Sequence, residues 1–260
     1  MSIARLAGAG LLLVLAGTLG PPMRAALADP PPASCAAPGD LARLRGKLTR
    51  TAMRLAQHEP LTVVALGSSS TEGIGASTPE RTYPSQFALA LHERLPAQQV
   101  RVVNKGIGGE TAAQMAARLE RDVLAEHPDL VIWQLGTNTV LRDEAIAPMR
   151  AVVEAGLERL REAGIDVVLM DLQYAPAVLA HPEYRDMEHA LSLLAKENGV
   201  PLFRRFAVMR HWVHAEQLDF AAMLAPDGLH QNDLSYACIG RLLADGIVDT
   251  ALPNILLSHR

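Results

Sequence analysis

Aromatic residues, basic excess and long apolar runs are all scarce in this chain of 260 residues, and each scarcity removes a class of function. Phe, Trp and Tyr make up 4% of the sequence, which argues against an extended aromatic platform for stacking sugar rings. Lys and Arg number 24 against 28 Asp and Glu, and no basic stripe is visible, so the clustered cations that neutralise nucleic-acid phosphates are missing and no nucleic-acid partner is expected. No stretch reaches the ~20 apolar residues of a membrane span. Cysteine occurs only twice, as Cys35 and Cys238. The two either pair, tying the N-terminal tail to the last helix, or stay as thiols, and the separation of their Cα atoms decides. A lipid anchor on Cys35 is disfavoured, because Pro32, Ala33 and Ser34 precede it, far from the apolar run.

What is present begins with an export signal. Arg5 precedes a run rich in Leu, Ala and Gly, followed by Pro21, Pro22 and then Ala26, Leu27 and Ala28. That order of charge, apolar run and small residues predicts a signal peptide over 1–28, cleaved after Ala28, and hence an exported protein, periplasmic or secreted, with no stable membrane span afterwards. Cleavage removes Arg5 and Arg24, leaving 22 basic and 28 acidic residues, a net charge of −6.

A Pro/Ala-rich tail follows, then a helical pattern over 41–57, so that 29–57 reads as tail and leading helix and 58–260 as one domain. Short apolar runs at 61–66, 100–104, 130–134, 166–170 and 200–203 read as strands. They alternate with helical patterns at 83–95, 111–125, 143–163, 182–198 and 233–249. This alternation predicts an α/β fold, a three-layer α/β/α sandwich around a parallel sheet. No repeat, low-complexity block or linker divides it.

In such a sheet, ligands bind beyond the carboxyl ends of the strands. Four polar clusters are expected there. Gly67 to Gly73 (GSSSTEG) follows the first strand, Asn104 to Thr111 (NKGIGGET) the second and Gln134 to Val140 (QLGTNTV) the third; Pro226 to His230 (PDGLH) precedes the last helix. A serine hydroxyl needs a base to become a nucleophile, and an imidazole base is often oriented by a carboxylate. Asp227 and His230, one helical turn apart, supply that pair. Negative charge growing on a carbonyl oxygen needs preorganised donors, which the turn from Gly106 to Gly109 and the Asn138 amide can provide. Each cluster alone has a plainer reading as a cap, a tight turn or a surface histidine. Their joint occurrence in this order is what carries weight.

With these blocks the sequence resembles the SGNH or GDSL-type serine hydrolases, a family of esterases and lipases, over residues 61 to about 249. The first block, Gly-Asp-Ser-x-Thr-x-Gly in the family, aligns with Gly67 to Gly73 and places the nucleophile at Ser69. Asn104, Gly106, Gly109 and Thr111 match the second, Gly136 and Asn138 the third, Asp227 and His230 the last. The resemblance implies a five-stranded parallel sheet in flavodoxin-like order. It also implies Ser69, Asp227 and His230 as catalytic triad, with Ser69 N–H, Gly109 N–H and the Asn138 amide as oxyanion hole. Ser68 and Thr139 stand where the family usually carries aspartate. They leave the proton-transfer set intact but alter the support around it, and Ser68 and Ser70 are chemically equal candidates that only spacing disfavours.

Ser70, Gln173 and Tyr174 are expected to line the substrate pocket, with Asp171 beside them. His211 and His214 read as a solvated helix face; no metal and no cofactor are expected. The arginines of Phe203 to Trp212 (FRRFAVMRHW) read as snorkelling from an amphipathic, packed segment. The expected activity is hydrolysis of carboxylic esters through an acyl-serine, on small-molecule, lipid or glycan esters, with short acyl groups favoured. Two rivals stand beside it. An acyltransferase would use the same serine, and product analysis with competing alcohols separates it; a non-catalytic binding protein could share the fold, and labelling by a fluorophosphonate separates that. Oligomeric state is left open.

Overall fold

The runs LTVVALG, VRVVNKG, LVIWQ, DVVLM and LF form five parallel strands: β1 Leu61–Gly67, β2 Val100–Gly106, β3 Leu130–Gln134, β4 Asp166–Met170 and β5 Leu202–Phe203. The structure, a computed structural model, describes residues 36–253. The strand order is β2-β1-β3-β4-β5, with every pair parallel. This is the expected flavodoxin-like order, whose reversal between β1 and β3 opens a crevice at their carboxyl ends. In β3 every residue is buried and in β1 all but Thr62, as strands covered on both faces should be.

The helices are α1 Gly39–Ala42, α2 Thr49–Ala56, α3 Ser69–Glu72, α4 Tyr83–Arg94, α5 Ala112–Ala117, α6 Thr137–Leu141, α7 Ile146–Glu162, α8 Pro176–Leu179, α9 Tyr184–Asn198, α10 Arg205–His214, α11 Phe220–Met223 and α12 Asp233–Ala251. The apolar side chains between these helices and the sheet make one core, including Trp133, Phe87, Phe203, Trp212 and Ile239, all at most 1% exposed. The described residues fall within one compact unit. Among the described residues no helix is long and apolar enough to cross a membrane. The expected signal peptide, its cleavage after Ala28, and Cys35, whose pairing with Cys238 the sequence left open, lie outside the described residues; Cys238 is buried on α12.

Three elements differ from the sequence reading. The helix expected over 41–57 is two short helices, because the chain between them turns at Gly46, whose φ of +151° suits glycine alone, and lies so close to Pro201 that a Cβ would stand 2.8 Å from the ring. The break lets Leu44 and Leu48 reach the core. The helix expected over 111–125 stops at Ala117 and continues as a π turn, Leu119–Val123, and a 3₁₀ turn, Leu124–Glu126. At that junction Arg118 is turned inward while Leu119 and Val123 remain buried. Finally, the segment read as carrying snorkelling arginines is α10, and Arg205 within it is fully buried. That expectation fails for Arg205 because its guanidinium finds acceptors inside: Asp171 O at 3.1 Å, Gln173 Oε1 at 2.9 Å and Gln231 Oε1 at 3.4 Å.

Candidate active site

Ser69 opens α3 directly after β1, with its backbone at the head of a four-residue helix whose first N–H groups have no partner within the helix. Its hydroxyl lies 2.8 Å from His230 Nε2. The other ring nitrogen, Nδ1, lies 2.6 Å from Asp227 Oδ2. Asp227 Oδ1 accepts from the backbone N–H groups of Leu229 and His230, each at 2.9 Å, so the carboxylate is fixed by the turn it starts. Burial works against its charge, but the imidazole and these two N–H groups outweigh it and hold the Asp227 carboxyl below its usual range.

The turn after β2 reaches over the same serine. Ile107 N donates to Gly67 O at 3.1 Å, and a side chain placed at Gly108 would come within 4.0 Å of Ser69 Cβ. Asn104 stitches the turn to α3, donating to Thr71 O at 2.7 Å and accepting from Gly106 N at 2.9 Å. Gly106 is itself obligatory: a Cβ there would fall 1.9 Å from Glu72 N. Gly109 has φ +77°, and its carbonyl accepts from Arg142. Asn138, at the start of α6, donates from Nδ2 to Glu110 O at 2.8 Å. That contact uses one of its two amide hydrogens and leaves the other to donate. Ser69, the Gly109 turn, Asn138 and the Asp227–His230 pair are thus drawn together from four separate segments.

Support comes from residues whose importance the sequence reading did not recognise. Gln134, the polar end of an otherwise apolar strand, presents Oε1 to Ser68 N at 2.9 Å, Ser68 Oγ at 3.1 Å and Thr71 Oγ1 at 3.3 Å. Thr71 Oγ1 also lies 3.1 Å from Tyr83 OH, whose burial pushes its pKa up to about 12. Ser68 therefore faces a buried acceptor, and a hydroxyl suits that position where a second acceptor would not. Arg118 clasps the ends of β1 and β2, donating to Gly67 O at 3.3 Å and Lys105 O at 2.8 Å. It is neutralised by Glu110 at 2.7 Å and Asp122 at 3.1 Å. Glu110 in turn is the residue whose carbonyl holds Asn138. No sequence motif announced Arg118; only its place in the fold does.

The residues expected to line a pocket are packed inside the fold. Ser70 and Gln173 are each 1% exposed. Ser70 lies inside α3's buried face, and Gln173 Oε1 is occupied by Thr137 Oγ1 at 2.8 Å and by Arg205. Tyr174 is packed edge-on to Phe206 and stacked on Phe220, with its hydroxyl 2.9 Å from His214 Nε2. Asp171 is buried as well, its Oδ1 accepting from Phe206 N at 2.9 Å; burial pushes its carboxyl up to about 7 despite the nearby Arg205. A recess of about 280 Å³ lies between the start of α5 and α7, lined by Thr111, Thr139, Met149 and Val152 among others; none of Ser69, Gly109, Asn138, Asp227 and His230 lines it. His211 lies 3.4 Å from Glu216, and His214 is exposed. Among the described residues one trio has metal-ligand types close together, Asp143, His181 and Glu183. It lies at the surface as an ordinary acid–histidine contact, with His181 Nδ1 3.0 Å from Asp143 Oδ1.

Comparison with known proteins agrees with this architecture. Residues 34–253 match the model of the non-GDSL lipase-like family. An arylesterase of Vibrio mimicus is 27% identical over 187 residues, covering 72% of this chain and 88% of that protein. An acetylxylan esterase of Geobacillus stearothermophilus is 38% identical over a shorter stretch of 77 residues, 29% of this chain and 35% of that one. In three dimensions, a two-domain esterase active on acetylated mannans superposes with a TM-score of 0.68 at 22% identity, over 81% of this chain and 56% of that protein. That last likeness is one of fold.

Proposed function

Since the chain belongs to the non-GDSL lipase-like family, within the SGNH/GDSL-type ester hydrolases, we propose that it is an exported serine hydrolase that cleaves short-chain carboxylic esters through an acyl-serine, acetyl groups on envelope glycans or lipids among them. The observation that carries this reading is the unbroken contact from Ser69 Oγ to His230 Nε2 at 2.8 Å and from His230 Nδ1 to Asp227 Oδ2 at 2.6 Å. Export rests on the sequence of residues 1–28, and the preference for short acyl groups on the acetylxylan esterase among the relatives.

In the mechanism, Ser69 Oγ attacks the ester carbonyl as His230 Nε2 takes its proton, and Asp227 steadies the imidazolium that forms. The carbonyl oxygen gains negative charge and is met by the N–H groups of Ser69 and Gly109 and by the Asn138 amide. Collapse expels the alcohol, which receives the proton from His230 and leaves an ester between the acyl group and Ser69. Water, deprotonated by His230, then attacks this acyl-serine, releasing the carboxylic acid and returning the proton to Ser69.

Steady-state hydrolysis of 4-nitrophenyl acetate tests the assignment. Ser69→Ala and His230→Ala should each lower kcat by roughly 10⁴-fold or more, while Asn138→Ala should cost about 100- to 1,000-fold in kcat with little change in KM. A Ser69→Ala protein that is folded and still hydrolyses at the parent rate would end the proposal.

A further inference from the structure

On the far edge of the sheet from the candidate active site, we infer that the cleft between the α1–α2 connection and α9 is a binding site for a ligand carrying two or more phosphate or carboxylate groups. The cleft has a volume of about 530 Å³, within the range of small-molecule sites. Four cations line it, Arg43, Arg45, Lys196 and Arg204, with Ala195 and Leu202 among its apolar walls and no acidic side chain among its lining residues.

The convergence is built by the fold. In a continuous helix Arg43 and Arg45, two positions apart, would diverge. The chain leaves α1 at Arg43 in an extended conformation, with ψ 124°. Extended backbone sends alternate side chains to opposite sides, so Leu44 is buried while both arginines are exposed. The same break that Gly46 allows against Pro201 therefore turns two guanidinium groups toward one cleft. Lys196 joins them from the last turn of α9, and Arg204 from the end of β5.

Neutralisation is absent where it is common elsewhere. Most described arginines make ion pairs, yet none of these four does, among the described residues. Glu197, beside Lys196, turns away to Arg150 at 2.7 Å. Arg204 donates to the backbone carbonyl of Asp40, which orients its guanidinium and leaves the charge uncompensated. In a chain of net charge −4, four unpaired cations around one hollow mark a place for anions; guanidinium forks match phosphate and carboxylate oxygens two at a time. This site is independent of the hydrolase reading, because none of its residues contributes to the Ser69–His230 centre.

Inorganic pyrophosphate is the probe. Calorimetric titration at low ionic strength should show one site per chain, weakened by added salt. The double substitution Arg45→Gln, Lys196→Gln, both at exposed positions that the fold tolerates, should weaken binding at least about 10-fold, with 4-nitrophenyl acetate hydrolysis unchanged. Sedimentation with cardiolipin vesicles, whose headgroup carries two phosphates, and with phosphatidylcholine vesicles separates the sources: binding to the former alone, displaced by pyrophosphate, assigns the anion to a lipid headgroup, and no sedimentation assigns it to a soluble ligand. No pyrophosphate binding at millimolar concentration, or equal binding by the double variant, would overturn the inference.

Discussion

Ser68 and Asp171 illustrate how single side chains set the terms at this site. Ser68 stands where the resembling sequences usually have aspartate, and its hydroxyl meets Gln134 Oε1 at 3.1 Å. The residue before the candidate nucleophile thus acts through one shared buried acceptor, without a carboxylate. Asp171 bears the opposite cost: a carboxyl 3% exposed, pushed up to about 7 by burial. A carboxyl whose folded pKa is raised binds its proton more tightly in the folded state. The stability it contributes is whole below the unfolded value of ~3.9 and is lost as pH rises through about 7. Asp171→Asn, which keeps an oxygen for Phe206 N, should remove that slope, so that melting temperatures measured from pH 4.5 to 8 favour the variant increasingly as pH rises. A parallel decline in both proteins would show that Asp171 does not titrate in that window.

Among the elements, the strands were legible because their cause is local. β3 and β4 fall where apolar runs of five residues predict them, and β1 and β2 extend only one and two residues further. β5 is shorter than expected, since Pro201 has no N–H to give and joins the sheet only through its carbonyl, which accepts from Leu169 N at 2.9 Å. The two broken helices were not legible, since what breaks them lies far along the chain: Pro201 against Gly46, and Gly67 O and Lys105 O drawing Arg118 inward. The same limit explains Arg205, a charge whose acceptors lie on the loop after β4 and beside His230. One close joint between elements is Gly106 at the end of β2, pressed on Glu72 of α3. Gly106→Ala must push β2 and α3 apart, and should lower kcat for 4-nitrophenyl acetate at least about 10-fold, a shift of ~1 Å in a reacting group being enough. Circular dichroism should show the helical content retained.

At the scale of the whole molecule, the leading helices are part of the body that carries the site. Asp129, 3% exposed, accepts from Arg50 Nε at 2.7 Å, Arg54 Nε at 2.9 Å and Thr62 N at 2.9 Å. Thr51 N donates to Asp166 Oδ2 at 2.7 Å. These contacts fasten α2 under the amino ends of β1, β3 and β4. A chain beginning at residue 58 would also forfeit the burial of Leu44, Leu48 and Leu55, each contributing ~1.5–3 kcal/mol. That total is comparable to the ~5–15 kcal/mol net stability of an ordinary domain, so the truncated chain should melt far below the parent or fail to fold. The sequence clusters at four separate places could be read as one chemistry only because this body brings their chain ends together. That convergence is most directly tested by treating the protein with a fluorophosphonate and mapping the adduct by peptide mass spectrometry. The account predicts one phosphonylated residue, Ser69, and no labelling in His230→Ala. An adduct on Ser68 or Ser70, or labelling that persists without His230, would contradict it.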